Sequence, residues 1–178
     1  MKFGRGNNLS EHERAIAGDA GSYWISPARL RDLRAIARIQ SQAFRPGLAY
    51  GMSALVFLWS VPQSTFLVAR NGAGGEIIGC VIADRHQGNA RIMNIATHRE
   101  HRRRGVARSL LRAVERTNPK GDMVLIAEEW NTGAHELYRS EGFEQTGFAR
   151  DYYGRGRHGV WMKKRRQPDS SSASRLYV

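Results

Sequence analysis

Apolar positions along the chain switch repeatedly between a spacing of about two residues and one of about 3.6, the signatures of strand and helix. After the short strand-like run YWIS, residues Leu30, Leu33, Ile36, Ala37 and Ala43 recur at helical spacing. They predict an amphipathic helix that ends near Phe44, before Pro46-Gly47. A shorter helix is predicted over about Gly51 to Ser60. STFLVAR and EIIGCVIAD flank the glycine-rich turn NGAGG as a hairpin, and ARIMNIAT reads as the next strand. A helix from Gly105 to about Thr117 places Val106, Leu110, Ala113 and Val114 on one face, and Asn118-Pro119 stops it. MVLIAEE is a buried strand, and NTGAHELYRSEGF is a helix running from an Asn cap to a Gly142 stop. FEQTGFARDYY and GVWMKKR close the series as two strands. The predicted order is β, α, α, β, β, β, α, β, α, β, β, an α/β (α+β) fold with a mixed sheet and helices on both faces.

At 178 residues with 41% hydrophobic content, the chain is long enough for one domain with its own core. The expected organisation is a flexible N-terminal tail over residues 1–21, one domain over 22–165 and a Ser-rich C-terminal tail over 166–178. SEHE at Ser10 to Glu13 matches a capping box at the start of a short helix. A single cysteine, Cys80, lies in the apolar run IIGCVIA, where it reads as a small core residue. One cysteine permits no internal disulfide, which suits a reducing, cytoplasmic setting. The longest apolar run, ALVFLWSV at Ala54 to Val61, is too short to cross a bilayer, so no membrane association is expected.

Net charge is +12, which favours phosphate-bearing partners and admits contact with RNA. The charge concentrates between Arg99 and Arg116, where seven arginines stand against two glutamates. Three of them, Arg102, Arg103 and Arg104, immediately precede Gly105 at the predicted helix start. The first turn of a helix carries unpaired N–H groups and the positive end of the macrodipole, so this position suits a phosphate held by main-chain atoms. A solvated charged face explains Arg112 and Arg116 well, and the crowded triplet poorly.

Other motifs exclude more than they suggest. GRGRHG at Gly154 to Gly159 satisfies G-x-G-x-x-G but leads into a strand rather than a helix, so it reads as a connecting turn. No P-loop, G-x-S-x-G elbow or H-E-x-x-H pattern occurs. His98 and His101 lack a third metal ligand in pattern, and no metal is expected.

The segment MNIAT, the loop HREHRRRGVA and the helix RSLLRAVERT resemble the acetyl-CoA-binding motif of the Gcn5-related N-acetyltransferase (GNAT) superfamily. Its Q/R-x-x-G-x-G/A loop is matched by Arg102, Gly105 and Ala107. Asn131, Ala134, Leu137 and Tyr138, followed by Gly142-Phe143, are similar to that superfamily's second cofactor motif. The likeness covers about Ile25 to Lys164 and is nearest to the RimI-type N-terminal protein acetyltransferases, through NIA, the Asn131 to Phe143 motif and RDYY. It implies a mostly antiparallel sheet splayed into a V, and acetyl-CoA as cosubstrate.

The resemblance also implies roles. Main-chain groups of Ile95, Ala96 and Thr97 would bond the pantetheine arm, where one N–H aimed at the thioester oxygen stabilises developing charge. The amides of Arg103, Arg104, Gly105, Val106, Ala107 and Arg108 would take the pyrophosphate, with Arg102 opening the motif. Asn131 would contact the cofactor, or serve as a plain helix cap, or both. Tyr138 carries over as the acid that protonates the departing thiolate, against its alternative as a packed aromatic. The RimI-type base position is occupied by Ile126. That leaves Glu128 and Glu129 as bases acting directly or through water, or as surface carboxylates at a strand end. Tyr152 and Tyr153 match tyrosines that help bind the substrate peptide, and FRPGLAYG, Phe44 to Gly51, would form the other wall of the acceptor channel.

The expected function is acetyl transfer to a primary amine, foremost the α-amine of a peptide or protein N-terminus, by direct attack in a ternary complex, the enzyme acting as a monomer or homodimer. The alternatives are a small-molecule amine acetyltransferase, an aminoacyl-tRNA acetyltransferase, and a nucleic-acid-binding module without activity.

Overall fold

The computed structural model describes residues 23–72 and 75–166. The residues before 23 and after 166, and with them the capping-box match at Ser10 to Glu13, lie outside the described residues.

Eleven principal elements follow in the expected order: β1 (Tyr23–Pro27), α1 (Leu33–Ala43), α2 (Met52–Ser60), β2 (Ser64–Asn71), β3 (Ile77–His86), β4 (Asn89–Thr97), α3 (Val106–Thr117), β5 (Met123–Glu128), α4 (Thr132–Ser140), β6 (Glu144–Ala149) and β7 (Gly159–Lys164). The strands form one sheet in the order β1-β2-β3-β4-β5-β7-β6. Every neighbouring pair is antiparallel except β4 and β5, which α3 connects as a parallel pair.

Each face of the sheet buries its own core. Leu33, Ile36 and Ile39 of α1 and Leu55 of α2 pack on Phe66, Cys80 and Ile82 on one face. Val106, Leu110 and Val114 of α3 and Tyr138 of α4 pack on Val81, Met123 and Met162 on the other. The Cys80 thiol is fully buried, and burial raises its pKa to about 12, so it is an inert core group.

Three bulges interrupt the alternation, one of them in β6, where Thr146 is left unpaired opposite β7. Opposite Ala69 and Arg70, β3 offers Gly79 and Ile77, leaving Ile78 unpaired. Opposite Ile82 and Ala83, β4 offers Asn94 and Ile92, leaving Met93 unpaired. A bulge bends its strand. Beyond Met93, β4 leaves β5: the two pair only at Ala90 with Met123, Arg91 with Val124 and Ile92 with Leu125. β5 stays bonded to β7 as far as Glu128. The sheet therefore opens into the expected V between residues 93–97 and 126–128.

The helix that faces this opening is fixed at both ends. Gly79 lets β3 approach the start of α3 closely, since a Cβ there would lie 2.7 Å from Val106 Cγ1. At the far end the Arg166 guanidinium donates to the carbonyls of Glu115, Asn118, Lys120 and Gly121, placing a cation at the negative end of the α3 dipole. Arg166 was expected in the C-terminal tail; these bonds, with its N–H on Asp122 Oδ1 at 3.0 Å, tie it to the folded body instead. No helix among the described residues is long and apolar enough to cross a membrane.

Candidate active site

The open end of the V continues into a cleft of about 1240 Å³. Its cofactor-side wall brings together most of the expected residues: Ile95, Ala96 and Thr97 from β4, and Arg102, Arg103, Gly105, Val106, Ala107 and Arg108 from the loop and first turn of α3. Arg103 (φ +62°) and Gly105 (φ +77°) are both left-handed, so the loop turns sharply into the helix. Ser109 N–H reaches back to Gly105 O at 3.0 Å, which leaves the N–H groups of Val106, Ala107 and Arg108 without intrahelical acceptors. The arginine run thus does precede an open helix end, as its position before Gly105 predicts. Arg104 is exposed and does not line the cleft.

Charge is distributed more sparingly than the arginine count suggests. Buried Glu141 forms an ion pair with Arg108, whose Nε lies 2.8 Å from Oε1, and accepts from Arg112 Nε at 2.8 Å and Nη2 at 3.0 Å. These two arginines clasp α3 to the end of α4. Arg103 and Arg104 form no ion pair among the described residues, and Arg102 reaches only Thr97 O, at 3.5 Å.

Asn131 and Tyr138 stand on α4 across the cleft. Asn131 caps the helix, its Oδ1 accepting from Ala134 N–H at 3.2 Å, and also lines the cleft. Tyr138 is 7% exposed, with its ring 5.7 Å from that of Phe143. Burial raises its phenol pKa to about 12, so at neutral pH it is a proton donor. It is both a core aromatic and a cleft hydroxyl.

The opposite mouth is aromatic. Phe44, Leu48 and Tyr50 line it from the α1–α2 loop, and Tyr152 and Tyr153 from the β6–β7 loop. Sequence patterning put these last two tyrosines on a strand, but β6 ends at Ala149. The chain turns at Asp151 (φ +53°), and Gly156 N–H donates to Asp151 Oδ1 at 2.6 Å. On a strand the two side chains would face opposite sides of the sheet; in the loop both face the cleft. Tyr153 Oη donates to Ile126 O at 3.0 Å, and burial pushes its pKa up. The Tyr152 ring lies edge-on, 4.9 Å from Tyr153.

The two carboxylates considered as bases part company. Glu129 is exposed, outside the cleft, with its N–H on His158 O. Glu128 lines the cleft but accepts two bonds from Arg157, at 2.8 and 3.1 Å. The Arg157 guanidinium holds the Glu128 carboxyl below its ordinary range, against the opposing effect of burial. Arg157 escaped sequence reasoning because it sits inside a glycine-rich turn, 29 positions from its partner, and no local pattern links the two. Asn94, also unforeseen, lines the cleft at the apex of the V.

A sheet parted between two parallel strands, with an open helix terminus at one mouth and a neutral buried phenol between the mouths, matches the site that the resemblance to acetyl-CoA-using acetyltransferases implies. A family model described as an acetyltransferase (GNAT) domain matches residues 62–145. An uncharacterised N-acetyltransferase of Methanocaldococcus jannaschii is 26% identical over 140 residues, spanning 76% of this chain and 87% of the relative. Among solved structures, the ribosomal-protein-S18-alanine N-acetyltransferase from Escherichia coli aligns with a TM-score of 0.74 at 20% identity, over 88% of this chain and 99% of that one. The NatC complex bound to Gag peptide and CoA aligns with a TM-score of 0.70 at 19% identity, over 82% of this chain and 99% of that one. Over residues 62–145 the chain thus matches the GNAT acetyltransferase domain, and it is an acetyltransferase.

Proposed function

We propose that this enzyme moves the acetyl group of acetyl-CoA to the α-amine at the N-terminus of a peptide or protein, by direct attack while both substrates are bound. The observation that carries the reading is the composition of the acceptor mouth. Tyr50, Tyr152 and Tyr153 offer flat apolar walls and hydroxyls suited to a peptide backbone, and Glu128 beside them is already paired with Arg157. A polyamine would call for unpaired carboxylates instead.

On this reading the β-phosphate and its neighbour rest on the N–H groups of Val106 to Arg108, with Arg102 and Arg103 beside them. The pantetheine arm pairs with the β4 edge that the V leaves free, and the acetyl group meets the amine at the apex. Attack forms the C–N bond and breaks the C–S bond, and Tyr138 gives the departing sulfur its proton. Tyr138 regains a proton released from the new amide nitrogen.

A second reading, acetylation of aminoacyl-tRNA, draws on the exposed arginines Arg34 and Arg38 on α1 and Arg31 in the 3-10 turn just before it. It too presents an α-amine. Two peptides test the main reading by mass spectrometry, one with a free α-amine and blocked lysine, one with the reverse. The expected product is acetylated on the α-nitrogen of the first; acetyl found only on the lysine of the second contradicts the proposal.

A further inference from the structure

We infer that Gln40, which lies outside the cleft, sets the acceptor wall: its side chain holds the α1–α2 loop so that Tyr50 faces the incoming peptide. Gln40 is thus a positioning residue for the acceptor. The inference deepens the proposed function and rests on it.

Gln40 sits in the last turn of α1, fully buried and absent from the cleft lining. It bonds both ends of the loop that follows. Its main-chain O accepts from Phe44 N–H at 2.9 Å, where the helix stops. Its side-chain Oε1 accepts from Tyr50 N–H, also at 2.9 Å. Between these two points the chain turns back on itself, with Leu48 N–H on Arg45 O at 3.1 Å and Gly47 at φ +86°. The loop therefore closes on a single residue.

That loop carries one wall of the acceptor mouth. Phe44, Gly47, Leu48 and Tyr50 line the cleft from it, facing Tyr152 and Tyr153 of the β6–β7 loop. Phe44 and Tyr50 also pack against the α1-side core. Apolar packing is non-directional and fixes no position along the core surface. The bond from Tyr50 N–H to Gln40 is directional, so it fixes where the Tyr50 backbone lies and which way the ring projects.

Stability alone does not account for a carboxamide at this position. Gln40 Nε2 is buried and meets no hydrogen-bond partner among the described residues. Turning the amide over would set its NH2 against the Tyr50 N–H, donor against donor, so the bond to Tyr50 fixes the orientation that leaves Nε2 unpaired. A buried donor without an acceptor costs stability that an apolar side chain of similar length does not. Methionine at this position removes the unpaired donor and also takes the acceptor from Tyr50 N–H. These two effects oppose each other in the fold, while only the second acts on the loop. Glutamate does the reverse: it keeps an acceptor oxygen for Tyr50 and buries a carboxyl group.

The two variants separate positioning from a merely structural role. Gln40→Met is expected to raise the peptide KM about tenfold, with the acetyl-CoA Kd within about twofold and the melting temperature within about 2 °C of the parent. Gln40→Glu is expected to lower the melting temperature by about 5 °C while the peptide KM stays within about threefold. A KM that follows the melting temperature across the pair, or an unchanged KM in Gln40→Met, overturns the inference. Hydrogen exchange read by mass spectrometry needs no acceptor and follows residues 44–51 directly. Faster exchange confined to that loop is expected in Gln40→Met, and unchanged exchange there overturns the inference. Faster exchange in a protein that turns over no peptide supports the hold on the loop and overturns the N-terminal reading instead.

Discussion

Tyr138 is a residue on which packing and chemistry depend together. Its ring belongs to the α3-side core, and its hydroxyl borders the cleft in a setting that keeps it protonated. Tyr138→Phe retains the ring, so the fold and the acetyl-CoA dissociation constant are expected to hold while kcat falls about a hundredfold. Equilibrium binding and steady-state kinetics on the same preparation separate these quantities; an unchanged kcat removes the acid role. Tyr138 was legible because Asn131, Ala134, Leu137 and Tyr138 recur at fixed spacing on one helix. Arg157 was not, since its importance lies in a contact with Glu128 across the β5–β7 pairing. Ile126 shows the same limit. Its identity could be read from the chain, but not that its side chain covers Gly159 while its carbonyl receives Tyr153.

At the scale of elements, the turn into α3 joins backbone conformation to cofactor binding. Gly105 has φ +77°, and a Cβ there would meet only Tyr23 Oη, at 3.8 Å. Gly105→Ala is therefore strained rather than crowded, at a cost of about 1 kcal/mol. The strain falls on the N–H groups that the loop presents, so acetyl-CoA affinity is expected to drop about tenfold with only a small fall in melting temperature. Calorimetric titration with acetyl-CoA checks this, and an unaltered affinity would show that the loop does not hold the phosphates. All eleven elements could be read in order because the apolar period changes at each boundary and Gly, Pro or Asn marks most of the ends. The bulges at Ile78 and Met93 could not, because one extra apolar residue leaves a run as strand-like as before. β6 was drawn too long for a related reason: the aromatic residues of RDYY favour strand, yet the bonds of Asp151 and Gly154 within the loop turn the chain away.

Across the whole molecule, the net charge of +12 is not a uniform coat. Arg70, Arg91, Arg108, Arg112 and Arg157 are engaged by Asp32, Asp84, Glu141 and Glu128, where they lock elements together. Among the described residues, Arg102 and Arg103 line the cleft outside any ion pair, beside an open helix end. Composition pointed to anionic partners; only the fold separates the arginines that hold the protein together from those that line the cleft unpaired.

The most direct measurement is release of CoA from acetyl-CoA, by the purified full chain, across peptides with free N-termini, peptides with lysine alone, polyamines, aminoglycosides and charged tRNA. The account predicts turnover with free α-amines and little or none with lysine-only peptides or polyamines. Turnover confined to polyamines or aminoglycosides would contradict it, and would make the aromatic mouth a small-molecule site.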